Sequence, residues 1–170
     1  GIINGTGVEV RNMAFFYQGS SNDNMEIKGT HHIWVHNNDY FYGEQGGGDH
    51  GKGDGALDSK DGATFCTFSY NHFHDTGKSN LCGMKSETVD NLICYHHNWF
   101  DHSDSRHPRV RTSSVHVWNN YYDGVAKYGI GVTMGASVFV ESNYFRNTKY
   151  PMMISKQGTD AKGDGTFSGE

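Results

Sequence analysis

Three arginines lie within one short segment, Arg106-His-Pro-Arg-Val-Arg111. A guanidinium group binds a carboxylate through a planar fork of donors, so this spacing favours an acidic ligand, with a solvated basic loop as the alternative. Two further stretches carry charges that suit such a ligand: Asp54-Gly-Ala-Leu-Asp58, and Lys78 in Asp-Thr-Gly-Lys. Paired carboxylates attract a hard cation. Together the three stretches predict a site for a cation and a polyanion.

The composition restricts anion binding to a local site. The chain has 170 residues, a net charge of -5 and 35% hydrophobic residues. This length fits one domain with a sizeable core, and the charge excludes a generally basic nucleic-acid-binding protein. No apolar run approaches the roughly 20 residues of a membrane helix, and the first residues lack the pattern of a signal peptide. A mature secreted protein and a cytosolic protein both remain open.

The cysteines form a set of three, Cys66, Cys82 and Cys94. An odd number without a C-x-x-C pair matches neither a disulfide framework nor a paired-cysteine metal site. We expect mostly core thiols, with a single disulfide as the alternative.

Four of the histidines have H-x-H or H-H spacing that could suggest zinc: His72, His74, His96 and His97. Metal ligands must converge on one point. These residues fall around predicted strand ends and alternate in facing, so we do not expect a histidine metal site.

One pattern recurs along the chain and must position the charged residues. Two inward apolar residues, such as Ile33 and Val35, are followed by an Asn and then by an aromatic residue two positions later. The alternation indicates a strand, and the recurrence at intervals of 33, 27, 22 and 23 residues is typical of a solenoid. The pattern therefore predicts an all-β fold, a parallel β-helix. The Asn and aromatic positions are Asn38 and Tyr40, Asn71 and Phe73, Asn98 and Phe100, Asn120 and Tyr122, and Asn143 and Phe145.

The repeated Asn predicts a ladder at one corner of the solenoid. A side-chain amide has both donors and acceptors, so equivalent Asn residues on successive coils can bond to one another, although a single Asn would need no explanation beyond a turn. The aromatic positions are predicted to be interior stacks and not a sugar-stacking surface. The longest interval contains an insertion at 43–53, which is predicted to be a loop. The predicted interior includes Val35, Phe68, Val117 and Val140.

If the coils superpose, the same repeat places four charged residues on one face. Asp23, Asp58, Lys85 and Arg106 lie 15, 13, 13 and 14 residues before the Asn of their coils. Strands of successive coils stack about 4.8 Å apart, so Asp58 and Arg106 would be roughly 10 Å apart. That gap could hold a cation and a sugar-sized carboxylate.

The chain resembles the family 1 pectate lyases, which are single-stranded right-handed parallel β-helix enzymes that cleave polygalacturonate by β-elimination. The resemblance runs from Val10-Arg-Asn-Met to about Tyr144, and it rests on several motifs together. These motifs are Phe16-Tyr-Gln-Gly-Ser20, His32-Ile-Trp-Val35, Asp54-Gly-Ala-Leu-Asp58, Ser69-Tyr-Asn-His-Phe-His-Asp75 with Gly77-Lys78, Arg106-x-Pro108-x-x-Arg111, and Val115-His-Val-Trp-Asn-Asn-Tyr-Tyr122.

The resemblance implies a role for individual residues. The carboxylates that would hold a catalytic Ca²⁺ are Asp23, Asp54 and Asp58. The cations that would bind the substrate carboxylate are Lys78 and Arg111. Lys85 stands in a segment that is usually small and polar in the family, so we expect it to add a substrate-binding cation near the cleft. Arg106 would remove the proton.

The resemblance also implies a location and partners. We expect a secreted monomer, extracellular or periplasmic, that binds polygalacturonate but neither nucleic acid nor membrane. We expect one β-helix domain over 1–170, with truncation at one or both ends relative to the longer family chains left open. Two alternatives remain, a pectin lyase acting on methyl-esterified substrate and a catalytically weak polyuronate-binding fragment. Pectin lyases replace part of the calcium site with a cation, so the three intact Asp residues favour pectate.

Overall fold

The computed structural model describes residues 1–16, 22–42, 51–84, 92–156 and 161–169. The regular structure of these residues consists of short strands. In chain order the strands are β1 Ile2–Ile3, β2 Thr6–Arg11, β3 Ala14–Phe16, β4 Met25–Lys28, β5 His31–His36, β6 Asp39–Phe41, β7 Leu57–Lys60, β8 Thr64–Ser69, β9 His72–His74, β10 Leu81–Cys82, β11 Ile93–His96, β12 Trp99–Asp101, β13 Arg109–Arg111, β14 Ser114–Trp118, β15 Tyr121–Asp123, β16 Ile130–Thr133, β17 Ser137–Glu141, β18 Tyr144–Arg146, β19 Met152–Ile154 and β20 Thr166–Ser168.

The strands form three parallel sheets. Sheet A has the order β1-β4-β7-β10-β13-β16-β19, sheet B the order β2-β5-β8-β11-β14-β17-β20, and sheet C the order β3-β6-β9-β12-β15-β18. Each strand therefore pairs with the strand three places later in the chain, so one coil contributes one strand to each sheet. Stacking of equivalent strands on successive coils is the architecture of a solenoid. The predicted parallel β-helix is confirmed.

Strand alternation directs the apolar residues of each coil into a shared interior. In β8, for example, Cys66 and Phe68 are buried and lie beside Ile93 and Tyr95 of β11. Successive side chains of a strand point to opposite faces, so apolar residues two positions apart reach the same core. Three of the four predicted interior residues are fully buried, and the fourth, Val140, is partly buried and packs against the core.

The predicted Asn ladder is present at the corner between sheets B and C. The Nδ2 of each Asn donates to the Oδ1 of the next at 3.0–3.1 Å. The same Oδ1 atom accepts the backbone N–H of the preceding Asn at 2.9–3.1 Å. The ladder therefore satisfies buried polar groups that would otherwise lose their hydrogen bonds to water. Its members are Asn38, Asn71, Asn98, Asn120 and Asn143.

Replacement of Asn98 by Ala is expected to lower the free energy of unfolding by about 3 kcal/mol, because two donors of Asn71 and the buried carbonyl of Phe68 lose their partner. Urea denaturation of both proteins measures the difference. Asn143→Ala is the matched control: it removes the half-buried last member of the ladder and should cost about 1 kcal/mol. Equal losses for the two variants would contradict a cooperative role for the buried ladder.

The aromatic residues after the Asn positions form the predicted interior stack. Ring centroids of neighbours lie 4.4–5.2 Å apart at interplanar angles of 10–24°. These are offset-stacked geometries within the preferred range for aromatic pairs. The predicted members are Tyr40, Phe73, Phe100, Tyr122 and Phe145, and Phe15 of β3 extends the stack by packing on Tyr40.

The cysteines are free thiols, as the preferred interpretation expected. Cys66 and Cys82 are buried, whereas Cys94 is half-buried. Burial raises the pKa of the Cys66 thiol to about 12, so this group stays protonated at neutral pH.

Only part of the predicted insertion loop falls on described residues. Residues 51 and 52 form a turn, whereas 43–50 lie outside the described ranges. Within the ranges that the structure covers, no helix is long and apolar enough to cross a membrane.

Candidate active-site cavity

A cavity of about 660 Å³ lies on the outer face of sheet A. It is lined by residues of strands β1, β4, β7, β10 and β13 and of the segments beside them. Six of the seven predicted site residues line this cavity: Asp23, Asp54, Asp58, Lys78, Arg106 and Arg111. The seventh, Lys85, lies outside the described residues.

Coil-to-coil pairing brings the acidic and basic segments together. Isolated parallel bridges join Gly55 to Lys78 and Lys78 to Ser105. Asp54 and Arg106 are the immediate neighbours of the outer two residues, so three successive coils present these side chains side by side. Asp54 Oδ1 and Lys78 Nζ lie 3.3 Å apart. The three motifs therefore lie on adjacent coils and line one cavity.

The register of the coils differs from the one predicted from the Asn spacing. Asp58 pairs with Glu26, so Asp23 lies three residues before the position that superposes on Asp58. Two residues separate β4 from β5, but three separate β7 from β8. The number of residues between a charged residue and the Asn of its coil therefore differs from coil to coil. Arg106 is displaced in the same way, because Arg109 superposes on Leu81. Asp23 and Arg106 reach the cavity from the segments before β4 and β13.

Asp23 and Asp58 converge at Gly55. The backbone N–H of Gly55 donates to Asp23 Oδ1 at 2.9 Å. A Cβ at position 55 would overlap the Asp58 carboxylate and lie 2.7 Å from Asp23 Oδ1, so only glycine leaves room for both carboxylates. Burial, and then repulsion by Asp23, raise the pKa of Asp58, which is 2% exposed.

This convergence fits a hard cation. Ca²⁺ takes six to eight oxygen ligands, often from several carboxylates. Asp23, Asp54 and Asp58 supply oxygen donors on one cavity wall, and a cation there would offset the repulsion between buried carboxylates. The donor chemistry of the cavity therefore suits the ion that the resemblance implied.

Lys60, which was not among the predicted site residues, contacts three carboxylates of the cavity. Its Nζ lies 2.9 Å from Asp23 Oδ2, 2.7 Å from Glu26 Oε1 and 3.5 Å from Asp58 Oδ2. Burial alone would lower the pKa of Lys60, but these carboxylates raise it. A signal was available in the sequence, because a residue two positions after Asp58 in a strand must share its outward face. Any cation held by Asp23 and Asp58 competes with this ammonium group.

Two of the three clustered arginines, Arg106 and Arg111, line the cavity. Arg111 is 8% exposed and Lys78 is 7% exposed, so both present their charges from a buried position. Arg109 is also buried but lies outside the set of residues that line the cavity. The expectation that the whole cluster would surround an acidic ligand is therefore wrong for Arg109. Arg109 lies two residues before Arg111 in β13 and pairs with Leu81 of the neighbouring coil.

Arg106 has an unusual backbone conformation. Its φ is 65°, in the left-handed region that costs a non-glycine residue of order 1 kcal/mol. The N–H of Asn80 donates to the Arg106 carbonyl at 2.7 Å and helps to hold this conformation. The half-buried Arg106 side chain lines the same cavity as the carboxylates.

His107 anchors the segment that follows Arg106. The side chain is fully buried, its Nδ1 lies 2.9 Å from the Tyr128 carbonyl oxygen, and the Tyr122 hydroxyl donates to its backbone carbonyl at 3.0 Å. Burial lowers the pKa of His107 to about 4, although the backbone contact at Tyr128 opposes the shift. His107 is therefore neutral in the folded protein at neutral pH.

His107 is expected to make stability depend on pH between about 6.5 and 4. An unfolded chain binds a proton at His with a pKa of about 6.5, whereas the folded chain resists it, so the stabilising contribution is present above pH 6.5 and is lost as pH falls through 4. The loss approaches roughly 3 kcal/mol. Asp58 changes stability in the opposite direction as pH falls, because its pKa is raised. The quantity to compare is therefore the slope of the free energy of unfolding against pH in wild type and in His107→Gln.

Urea denaturation at several pH values measures these slopes. The slope for His107→Gln should lie below that of wild type as pH decreases, with less stability lost. Identical slopes for wild type and His107→Gln would contradict the assignment.

Comparisons with known proteins agree with the β-helix fold. A family model described as pectate lyase matches residues 2–168. A pectate trisaccharide-lyase of Bacillus licheniformis is 35% identical over 147 residues, which cover 85% of this chain and 42% of the relative. Pectate lyase B of Dickeya chrysanthemi is 31% identical over 167 residues, which cover 94% of this chain and 44% of the relative. This chain thus spans about two-fifths of the length of these relatives.

Solved structures show the same relationship. A pectate lyase from Bacillus sp. N165, in complex with trigalacturonate, matches with a TM-score of 0.82 at 27% identity, over 96% of this chain and 55% of that one. Pectate lyase II from Xanthomonas campestris pv. campestris matches with a TM-score of 0.80 at 27% identity, over 99% of this chain and 53% of that one. Sequence motifs, coil architecture and these similarities agree, and the chain belongs to the pectate lyase family.

Proposed function

We propose that this chain carries the catalytic site of a pectate lyase that cleaves α-1,4-linked polygalacturonate by calcium-assisted β-elimination. The products would be unsaturated oligogalacturonides. The observation that carries the proposal is the cavity on sheet A, which is lined by four carboxylates and five cationic side chains, among them Asp23, Asp54, Asp58, Lys78, Arg106 and Arg111. A polyuronate bound through a hard cation needs both kinds of group. The trigalacturonate complex of the related Bacillus enzyme supports the same class of ligand.

The chemistry requires a base and a cationic environment. Removal of the proton at C5, next to the uronate carboxylate, lets the bond from C4 to the glycosidic oxygen break and leaves a C4–C5 double bond. Negative charge develops on the carboxylate as the proton leaves. Preorganised positive groups at that position lower the barrier, because they stabilise charge that is larger in the transition state than in the ground state.

Lys78 and Arg111 are assigned to the substrate carboxylate. Both are buried side chains of the cavity wall, so their charges act in a less polar environment than bulk water. The planar guanidinium of Arg111 can bind a carboxylate through two parallel hydrogen bonds, whereas the ammonium of Lys78 acts as a compact point charge. The substrate-binding role of Lys85 stays a prediction.

Arg106 is assigned as the base that takes the C5 proton. Its side chain lines the same cavity, and the hydrogen bond from Asn80 restrains its backbone. A guanidinium ion is a poor base, so proton removal requires that neighbouring positive charge favour the neutral form when substrate is bound. Lys78 and Arg111 line the same cavity and provide such charge.

Asp23, Asp54 and Asp58 are the residues that would hold Ca²⁺. When bound, Ca²⁺ supplies positive charge that stabilises the substrate carboxylate as electron density moves onto it. Gly55 allows two of these carboxylates to converge, and Lys60 balances part of their charge.

An ultraviolet assay for unsaturated product tests the proposed function. Polygalacturonate with Ca²⁺ should give a steady rise in absorbance, and excess chelator should stop it. Activity on methyl-esterified pectin that persists in chelator would favour a pectin lyase. Binding of oligogalacturonate without product would favour the polyuronate-binding alternative.

We also propose that the protein acts as a monomer outside the cytoplasm, in an extracellular or periplasmic location. A polymeric uronate does not cross a membrane, so an enzyme that cleaves it must meet it outside the cell or after partial degradation. Cell fractionation tests the location. Light scattering, which gives the molar mass in solution, tests the monomeric state.

A further inference from the structure

Sheet C carries a cluster of metal-ligating side chains on a different sheet from the cavity. Asp39 lies in β6, and His72 and His74 lie in β9 around the buried Phe73. One ligand atom from each of the three residues lies within 4.8 Å of the other two. His72 and His74 thus share the outward face of one strand, so the expectation that the histidines alternate in facing is wrong for this pair.

The distances within the cluster fit a small coordination polyhedron. Asp39 Oδ1 lies 2.9 Å from His74 Nε2 and 3.5 Å from His72 Nδ1. Tetrahedral zinc has bonds of about 2.1 Å to nitrogen and oxygen, which place neighbouring ligand atoms roughly 3.4 Å apart. The strand register brings these side chains close together, because Asp39 of β6 pairs directly with His72 of β9.

Each imidazole has a second carboxylate at its other nitrogen. His72 Nε2 lies 3.2 Å from Asp101 Oδ2, and His74 Nδ1 lies 3.4 Å from Asp75 Oδ2. Histidine ligands of metal ions commonly donate their remaining N–H to a carboxylate, which sets the tautomer and the ring orientation. Here the same arrangement would leave His72 Nδ1 and His74 Nε2 as the acceptor atoms that point toward Asp39.

Ring stacking restrains both histidines. His72 lies between the Trp99 ring, at a centroid distance of 4.2 Å, and the His74 ring, at 4.5 Å. His74 stacks on Phe41 at 4.9 Å. Ligands held by neighbouring rings lose less conformational freedom on binding, so the arrangement is preorganised.

We propose that Asp39, His72 and His74 form a second metal site, which binds a divalent ion of the zinc class. Two imidazoles and one carboxylate suit Zn²⁺, Ni²⁺ or Cu²⁺, whereas the all-oxygen wall of the sheet A cavity suits a hard ion. The side chains of His72 and His74 are 33% and 25% exposed, so solvent and ions reach the site. Because the ligands come from adjacent coils, a bound ion cross-links β6 to β9.

Calorimetric titration of the whole chain with Zn²⁺ tests the site. Excess Ca²⁺ is kept present so that the carboxylates of the sheet A cavity are occupied. Wild type should bind one Zn²⁺ per chain, and His74→Gln and Asp39→Asn should each bind at least tenfold more weakly. His116→Gln changes a half-buried histidine of sheet B and should bind as wild type does. Asp101→Asn, which removes the carboxylate beside His72 Nε2 and also a contact with His102 but none of the three ligands, should weaken binding by about 10- to 100-fold.

The proposal is overturned if wild type binds no Zn²⁺ under these conditions, or if His74→Gln and Asp39→Asn bind it as tightly as wild type. An equal loss in His116→Gln would place the ion elsewhere and would also overturn it. A second measurement leaves Asp39, His72 and His74 unchanged, so it does not depend on whether the ligand variants fold. Ni²⁺ should quench the tryptophan fluorescence of wild type. Trp99→Phe should remove most of that quenching, because Trp99 stacks on His72. Quenching that is unchanged in Trp99→Phe contradicts the site. Pectate cleavage enters none of these readouts, so their outcome is separate from the proposed function.

Discussion

Arg106→Lys is expected to reduce kcat by about 10²- to 10⁴-fold while substrate binding survives. The substitution keeps a positive charge in the cavity, but it changes the reach, geometry and proton affinity of the nitrogen that would accept the C5 proton. Initial rates over a range of polygalacturonate concentrations give kcat and KM, and calorimetry with an oligogalacturonate gives binding directly.

Arg111→Lys is the matched comparison for this experiment. It makes the same chemical change at a second arginine of the same cavity, but at a residue assigned to the substrate carboxylate. Loss of a two-pronged contact that exists before the transition state should raise KM as well as lower kcat. If Arg106→Lys retains near-native turnover and binding weakens instead, then Arg106 is a clamp and Lys78 becomes the next candidate for the base.

Asp58→Asn is expected to weaken calcium binding and calcium-dependent activity without destabilising the calcium-free protein. The variant loses a carboxylate ligand, so calcium affinity and activity at limiting Ca²⁺ should fall by at least tenfold. The carboxylate of wild type is buried beside Asp23, and its pKa is raised, so a neutral amide removes an unfavourable buried charge. Lys60 keeps its contacts with Asp23 and Glu26.

Unfolding with and without Ca²⁺ separates the role in metal binding from a role in folding. A ligand at 100 times its Kd stabilises the folded state by about 2.7 kcal/mol, and wild type should show this gain. Asp58→Asn should show little gain at the same Ca²⁺ concentration and should equal or exceed wild type in chelator. Asp104→Asn is the control, because Asp104 pairs with Lys52 and Lys127 and does not line the cavity. A calcium-dependent gain that Asp58→Asn retains would rule out this residue as a ligand.

The sequence by itself determined which residues of each coil lie inside the solenoid and which lie at its Asn corner. Asn38 to Asn143 recur with the same flanking apolar residues, and the period of two within each strand places those residues inside and the Asn at a corner whatever the rest of the chain does. The Asn ladder and the aromatic stack were therefore predictable residue by residue. The motifs around Asp54, Lys78 and Arg106 were predictable as one site for the same reason, because each precedes a strand of the same sheet.

Only the tertiary structure decided which side chains meet across coils. The corner after β4 has two residues and the corner after β7 has three, so Asn spacing misplaced Asp23 and Arg106 relative to Asp58. The contacts of Lys60 with three carboxylates and the approach of Asp39 to His72 depend on the same register. Side-chain direction within a strand is a local property of the chain, whereas alignment of strands separated by 20 to 30 residues depends on the length and conformation of every intervening turn.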